Sequence, residues 1–161
     1  MPQPITATFK DSGGNKIEGG VQVAGREEDV DVLEFDHSIN IPVDTQKGEL
    51  QGIREHEATT LWKPVDRATP MLYKALTNGE TLKEVVFHWY HIDKSGTETE
   101  YFTLTLKNAK ISDMTTVSPD RQDPRNKELD HRDKVSLLYE KITWKITDGN
   151  IESSDAWKEE R

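Results

Sequence analysis

The sequence predicts a mainly β fold with one short helix, and three observations carry that prediction. Apolar and polar residues alternate over long stretches, the period of a strand with one covered face. Turn residues, often Gly pairs or Asn-Gly, punctuate those stretches. A single segment, at about residues 70–78, carries helix signals at both ends.

Ile5, Ala7 and Phe9 alternate with Thr6, Thr8 and Lys10, so the chain opens on a strand. Gly13-Gly14-Asn15 and Gly19-Gly20 mark turns or bulges. From Asp31 to Ile41 the pattern predicts one long strand. Leu33, Phe35, His37, Ile39 and Ile41 share one face, and Glu34, Asp36, Ser38 and Asn40 take the other. Pro42 ends that strand or holds an edge. A polar connection, Val43–Gly52, then leads to a mixed strand from Ile53 to Trp62.

At the helix, Thr69 is the expected N-cap and Pro70 the first helical residue, where a missing N–H costs nothing. Leu72, Ala75 and Leu76 form its apolar stripe, and Asn78-Gly79 offers a left-handed stop. Three strands follow, Thr81–Asp93, Thr99–Ala109 and Lys134–Thr147, the first two joined by a Lys94-Ser95-Gly96 turn. In the last, Leu138, Ile142, Trp144 and Ile146 share a face interrupted by Glu140. From Asp120 to Lys134 five acids and five bases cancel, the composition of a solvated loop.

The run Lys83–Ile92 departs from simple alternation. Val85, Phe87 and Trp89 occupy one face, while Val86, His88 and Tyr90 put large groups on the other. One core covers one face. The second requires another layer, from this chain or from a neighbour.

At 161 residues the chain fits one domain, 1–161. Apolar residues make up 33% and charged residues 32%, with a mean hydropathy of −0.80, which predicts a small core under wide polar surfaces. The net charge is −9, of which residues 1–57 carry −7 through twelve acids and five bases. That balance argues against nucleic acid and against anionic membrane surfaces as partners. The absence of cysteine excludes disulfides, thiol nucleophiles and thiolate zinc sites. The N-terminal residues lack the basic region and apolar core of a secretory signal, so cytoplasmic synthesis is expected, with any export by a route needing no signal peptide. No apolar run approaches the roughly 18 residues of a membrane helix, so no membrane insertion is expected.

The residue types of several catalytic sites occur, but without convergence. Asp36-His37-Ser38 has the members of a hydrolytic triad, yet strand alternation sends His37 to the face opposite the other two, where a buried, hydrogen-bonded histidine is expected. His88 and His91, three apart on a strand, face opposite ways and make no metal pair. Glu55-His56-Glu57 sets two carboxylates on one strand face, a pattern of sugar chemistry but also of any solvated face. The glycine segments lack the Lys-Ser/Thr of a phosphate loop. The acidic balance opposes a stacking platform for single strands built on Trp89, Tyr90, Tyr101 and Phe102. No catalytic residue, cofactor site or metal site is assigned.

Read in order, a set of fragments resembles one family. They are Phe35-Asp36-His37, Pro42-x-Asp44-x-Gln46-x-Gly48, Gly52-x-Arg54-x-His56, Asp66-x-Ala68-Thr69-Pro70-x-Leu72-Tyr73-x-Ala75-Leu76 and Gly79-Glu80-x-Leu82. Trp89-Tyr90, Gly96, Tyr101-Phe102, Leu106, Ala109-x-Ile111, Val135-Ser136-Leu137, Tyr139-x-Lys141-Ile142-x-Trp144 and Asp155-x-Trp157 continue the series. In order and spacing, from about residue 30 to residue 157, the chain resembles the haemolysin-coregulated protein (Hcp) family, tube subunits of bacterial type VI secretion.

The resemblance implies a two-sheet β-barrel or sandwich with the one helix flanking it, assembled as a hexameric ring. It implies rings that stack into a hollow tube with effectors in the lumen, a contractile sheath that drives the tube out of the cell and a spike protein at its tip. It implies a structural protein, not an enzyme, made in the cytoplasm and then secreted. The linker Pro42–Gly52 resembles the family's extended loop, so Val43, Asp44, Thr45, Gln46, Lys47, Gly48, Glu49, Leu50 and Gln51 are candidate contacts to a neighbouring subunit or ring. The acidic face Glu34, Asp36 and Ser38 is a candidate lumen lining. Some family members carry an enzymatic extension after the tube domain, and with Asp155-x-Trp157 so near Arg161 none is expected here. A second reading is a monomeric β-barrel that binds or hydrolyses a ligand such as a sugar through Glu55, Glu57 or His88. A chaperone-like carrier of secreted effectors is compatible with the first.

Overall fold

The computed structural model describes residues 3–158. In chain order its strands are β1 (Ile5–Lys10), β2 (Lys16–Ile17), β3 (Val30–Val32), β4 (Glu34–Asp36), β5 (Ile39–Asn40), β6 (Val43–Asp44), β7 (Glu49–Leu50), β8 (Glu55–His56) and β9 (Thr59–Pro64). After the helix α1 (Ala68–Thr77) come β10 (Leu82–Ile92), β11 (Glu98–Val117), β12 (Arg132–Leu138), β13 (Lys141–Ile146) and β14 (Ile151–Ala156). Pairings among the described residues are antiparallel, as short turns between sequential strands require.

The ladder closes on itself. β1 pairs with β10, β10 with β11, the distal half of β11 with β12, β12 with β9, and β9 with β4. β3, one residue before β4, pairs back onto β1 and completes a barrel. At the hand-over, the Leu33 N–H donates to the Trp62 carbonyl (2.7 Å) while Glu34 stands opposite the same residue. Two residues facing one make a bulge, and a bulge reverses the phase of alternation. Val30 and Val32 are therefore buried before it and Phe35 packs on the core after it, whereas Leu33 is 47% exposed. The single strand expected over Asp31–Ile41, with Leu33 on its apolar face, is thus corrected to three pieces in two phases.

β11 is twenty residues long, far beyond the end expected at Ala109. It bends at Asn108, which takes φ 51°, and an irregular register between Ile111 and Asp113 puts the buried Ile111 and Met114 three apart. That spacing hid the extension from a search for period two. Its partner also bends, at Tyr139–Glu140, so the strand expected over Lys134–Thr147 is two strands. Leu137 and Ile142 are buried on either side of the bend, while Leu138 is exposed, against the shared face predicted for it. β13 and β14 run on from the bend as a two-stranded extension beyond the barrel path.

The core fills the barrel with Phe9, Val30, Leu61, Val85, Phe87, Leu104, Leu106, Val135 and Leu137. α1 adds Ala68, Leu72 and Ala75 and packs against β11, where the Tyr73 hydroxyl lies 2.7 Å from Thr116 Oγ1. The helix starts earlier than expected because Asp66, not Thr69, holds its first turn. Asp66 Oδ1 accepts the Ala68 N–H (3.0 Å), and Thr69 Oγ1 accepts the Asp66 N–H (3.1 Å). At the other end Gly79 adopts φ 65°, its N–H bonds the Leu76 carbonyl and the Glu80 N–H bonds the Ala75 carbonyl (2.8 Å), a Schellman stop.

The two-faced strand β10 sends Val85 and Phe87 into the core, and Trp89 packs edge-on to Phe35 at 4.9 Å. Its outer face is partly covered by the segment between β2 and β3. The Arg26 guanidinium lies 4.1 Å from the Tyr90 ring centre and pairs with Glu98. His88 is held between Thr8 (3.2 Å) and Glu100 (2.8 Å). Gly19 lets the two limbs of that segment run close together, since a Cβ there would stand 2.5 Å from the Asp29 carbonyl oxygen.

One core feature was invisible to alternation. Lys63 and Asp133, cross-strand partners on β9 and β12, are completely buried with charged groups 2.9 Å apart. The Lys63 ammonium also donates to the Thr69 hydroxyl and the Pro64 carbonyl, and Asp66 lies 2.9 Å away. Burial pushes the Asp133 carboxyl up, but donors from Thr69, Lys63 and Thr116 outweigh it and hold it below the usual carboxylate range. Removing one partner strands the other's charge in the core. Asp133→Ala is expected to lower unfolding free energy in urea by about 3–5 kcal/mol, and the double change Lys63→Met with Asp133→Leu to recover most of that loss. A double variant no more stable than the single one contradicts this account.

Candidate functional site

Between β4 and β9 the chain leaves the barrel as a narrow hairpin in two tiers. At the root, β5 pairs with β8 through Ile39–His56 and Asn40–Glu55. Further out, β6 pairs with β7 through Val43–Leu50 and Asp44–Glu49. The tip Thr45–Gly48 turns on Asp44, whose Oδ1 accepts the N–H groups of Gln46 (3.0 Å) and Lys47 (3.3 Å), and on Gly48 at φ 67°. The candidate contacts Val43–Gln51 all lie here, and all except Asp44 are exposed. Val43 and Leu50 form an apolar cross-strand pair that stands 55% and 67% exposed, with Ile53 exposed nearby. A two-stranded hairpin with no cover is marginal in water, so this one depends on its root.

The root is a network of side chains from four parts of the chain. The Tyr139 oxygen, in the bend between β12 and β13, lies 2.8 Å from His37 Nε2 and 2.6 Å from His56 Nδ1. His56 Nε2 lies 2.8 Å from Asp155 Oδ2 on β14. Arg54 donates through Nε to the same carboxylate and through its terminal nitrogen to the Ala156 carbonyl (2.9 Å). Trp157 stacks on the His56 ring with centroids 5.3 Å apart and meets Tyr139 edge-on at 4.9 Å. The Arg54 hydrogen bond, with help from His56, holds the Asp155 carboxyl below its ordinary range. Burial pushes the Tyr139 phenol far up, assisted by Asp155, so it stays neutral. Burial, then the neighbouring His56, lowers His37 against the opposing pull of Asp36.

His37 is therefore a hydrogen-bonded histidine, as expected, but it serves the hairpin's root. Asp36 and Ser38 are exposed and make no triad with it. Glu34 and Asp36 stand across from Trp62 and Thr60, and Lys134 lies 5.7 Å from the Trp62 ring, so the candidate lumen residues belong to a polar outer surface of the barrel. Glu55 and Glu57 are exposed on a cleft of about 570 Å³ lined also by Pro42, Gly52 and Trp157. His56, between them in sequence, takes the opposite face and is buried. His88 has its own partners on β1 and β11 and shares none with the glutamates. Among the described residues no group of three or more His, Asp or Glu is placed to hold a metal. The residues of the root all lie within the fragments that carry the family resemblance, a signal that pointed to them without revealing that they touch.

Comparison with known proteins agrees with this architecture. The family model described as Type VI secretion system effector, Hcp, matches residues 8–146. The Major exported protein of Pseudomonas aeruginosa strain PAO1 is 36% identical over 152 residues, covering 94% of this chain and 86% of that protein. Among solved structures, a doubly substituted Hcp1 protein from the E. coli EAEC 042 pathovar is 42% identical, with a TM-score of 0.86 over 96% of this chain and 98% of that one. A crystal structure of an Hcp protein gives a TM-score of 0.89 at 29% identity, covering 99% and 100%. The secreted protein Hcp3 from Pseudomonas aeruginosa gives 0.79 at 26% identity, covering 98% and 100%.

Asp155 satisfies both Arg54 and His56, so Asp155→Ala is expected to cost about 2–3 kcal/mol in urea unfolding, the scale of hydrogen bonds to charged groups. Because its carboxyl is lowered on folding, this contribution is present above the unfolded value of about 3.9 and disappears as pH falls through the carboxylate range. Equal stability of the variant and the wild type at neutral pH would remove Asp155 from the anchorage.

Proposed function

Since the chain belongs to the Hcp family of type VI secretion system effectors, we propose that it is one tube domain whose copies close into a hexameric ring. Rings stack into a hollow tube that carries effector proteins in its lumen and is itself exported through a route needing no signal peptide. A contractile sheath and a spike protein are its partners in that machine, and its part is structural, without catalysis or cofactor.

The observation that carries this reading is the uncovered Val43–Leu50 pair on an otherwise well-anchored hairpin. An apolar pair on a protruding arm is stabilised when a neighbouring copy covers it. A ring is a heterologous interface that closes, and an arm reaching from one subunit to the next is suited to it. The outer barrel surface bearing Glu34, Asp36 and Ser38 is our candidate for the lumen wall, where polar groups would pass folded cargo without holding it.

Deleting Val43–Gly52 tests the reading. The Asn40–Glu55 pair below the cut holds the two limbs side by side, so Ile41, Pro42, Ile53 and Arg54 remain to join them, and none of the deleted residues pairs with a barrel strand. The deletion variant is expected to keep its circular dichroism spectrum and run as a monomer in gel filtration. Val43→Asp with Leu50→Asp is expected to do the same. A ring of native size from either variant overturns the assignment. A wild-type particle of 18.4 kDa under all conditions favours instead the ligand-binding barrel with Glu55 and Glu57 on its cleft.

A further inference from the structure

The Tyr139 oxygen faces two imidazole nitrogens, and the hydrogens on those two lines can be counted. Each short N···O line holds one hydrogen, and the phenol supplies one of the two. One nitrogen, and one only, must therefore carry the other. His56 Nε2 faces a carboxylate and is protonated there. When His37 Nε2 donates to Tyr139, the phenol donates to a bare His56 Nδ1 and His56 is neutral. When His56 is cationic, its Nδ1–H donates, the phenol turns to His37, and His37 Nε2 is bare. Both arrangements satisfy every group. With both rings cationic, three hydrogens compete for two lines, and the phenol hydrogen of a residue only 5% exposed loses its acceptor.

We infer that Tyr139 is the positioning residue of the hairpin and that this hub is an acid-sensitive latch, tolerating one imidazolium at the root and opening when the second ring is protonated. The surrounding charges do not rescue the doubly charged state. Asp36, beside His37 in sequence, is exposed and its attraction is screened. Asp155 already answers the Arg54 guanidinium. The remaining ring neighbours, Trp144 and Trp157, carry no charge. Burial disfavours the charged form of His37, so the folded root takes up this proton at lower pH than the unfolded chain. Anchorage is then complete above about pH 6.5 and weakens progressively below it. His37, Arg54, His56 and Asp155 lie on or beside the hairpin and on β14, off the barrel's own ladder, while Tyr139 stays rooted in the core, so the latch releases the arm while the barrel stays folded.

This inference rests on the arm's role in assembly only for its consequence, the loss of rings in acid. Hydrogen exchange of the full-length protein, corrected for intrinsic rates and referred to β10, reads the latch directly through the Glu57 N–H to Ser38 and the Ile39–His56 ladder. Between about pH 7.5 and about pH 4.5, root protection in the wild type is expected to fall about tenfold or more relative to β10, and in His37→Gln to stay within about twofold. Tyr139→Phe is expected to leave the root open at both values. An unchanged wild-type root, or the same loss in His37→Gln, overturns the latch. If His37→Gln misfolds, carbon resonances of labelled histidine in the wild type decide: two imidazolium rings with a protected root overturn it. Native mass on the same samples is expected to show rings that dissociate in acid. If no ring forms at either pH while the root still opens, the assembly reading falls and the latch stands.

Discussion

At Asn108 the long strand β11 bends, and the strand beside it bends at the same level, at Tyr139–Glu140. The Asn108 amide donates to the Glu140 carboxylate (2.9 Å), and the Glu140 N–H donates to the Lys107 carbonyl (3.1 Å), so the two bends are tied together. From there the ladder forks. Lys110–Val117 with β12 leads through β9 and β4 to the closed barrel, while Phe102–Lys107 with β13 leads to β14. Tyr139 occupies the fork, and its phenol meets both histidines of the hairpin's root. Barrel closure, the β13–β14 extension and the anchorage of the arm therefore share one backbone feature. An asparagine suits it, because few residues other than glycine accept a left-handed conformation without strain.

Two polar clusters divide the remaining work. Lys63 and Asp133 add little net stability as a buried pair, but they penalise error: a slip of one residue between β9 and β12 turns one of them outward and leaves the other buried alone, and a slip of two buries both unpaired. The cluster around Tyr139 and Asp155 sits nearer the surface and joins elements that the barrel does not join. One cluster therefore guards the register of the core and the other governs an appendage.

Much of this was legible in the sequence, and the failures share a cause. Period two located β1, β10 and the first half of β11, because their core-facing stretches Ile5–Phe9, Val85–Trp89 and Phe102–Leu106 each keep one phase, and capping chemistry located α1 to within two residues. The reading failed at Leu33, at Ile111–Met114 and at Tyr139, each a bulge or bend that shifts phase by one. Leu33 and Tyr139 are also places where strands change partners, which local alternation does not report. At the site, the arm was recognisable from its polar turn residues and the family fragments. Its anchorage was not, because His56 lies between two exposed glutamates and its partners stand far along the chain.

That distance has a consequence for the order of events at the ribosome. His37 and Tyr139 are 102 residues apart, and Arg54 and Asp155 are 101 apart. Contacts so remote form late, after most of the chain has been made and the loop between them has been closed. The arm emerges in the first third of synthesis, yet what holds it arrives with the final strand. An incomplete chain thus carries the arm without its support, and the geometry restricts well-anchored arms to chains that have been finished and folded through β14.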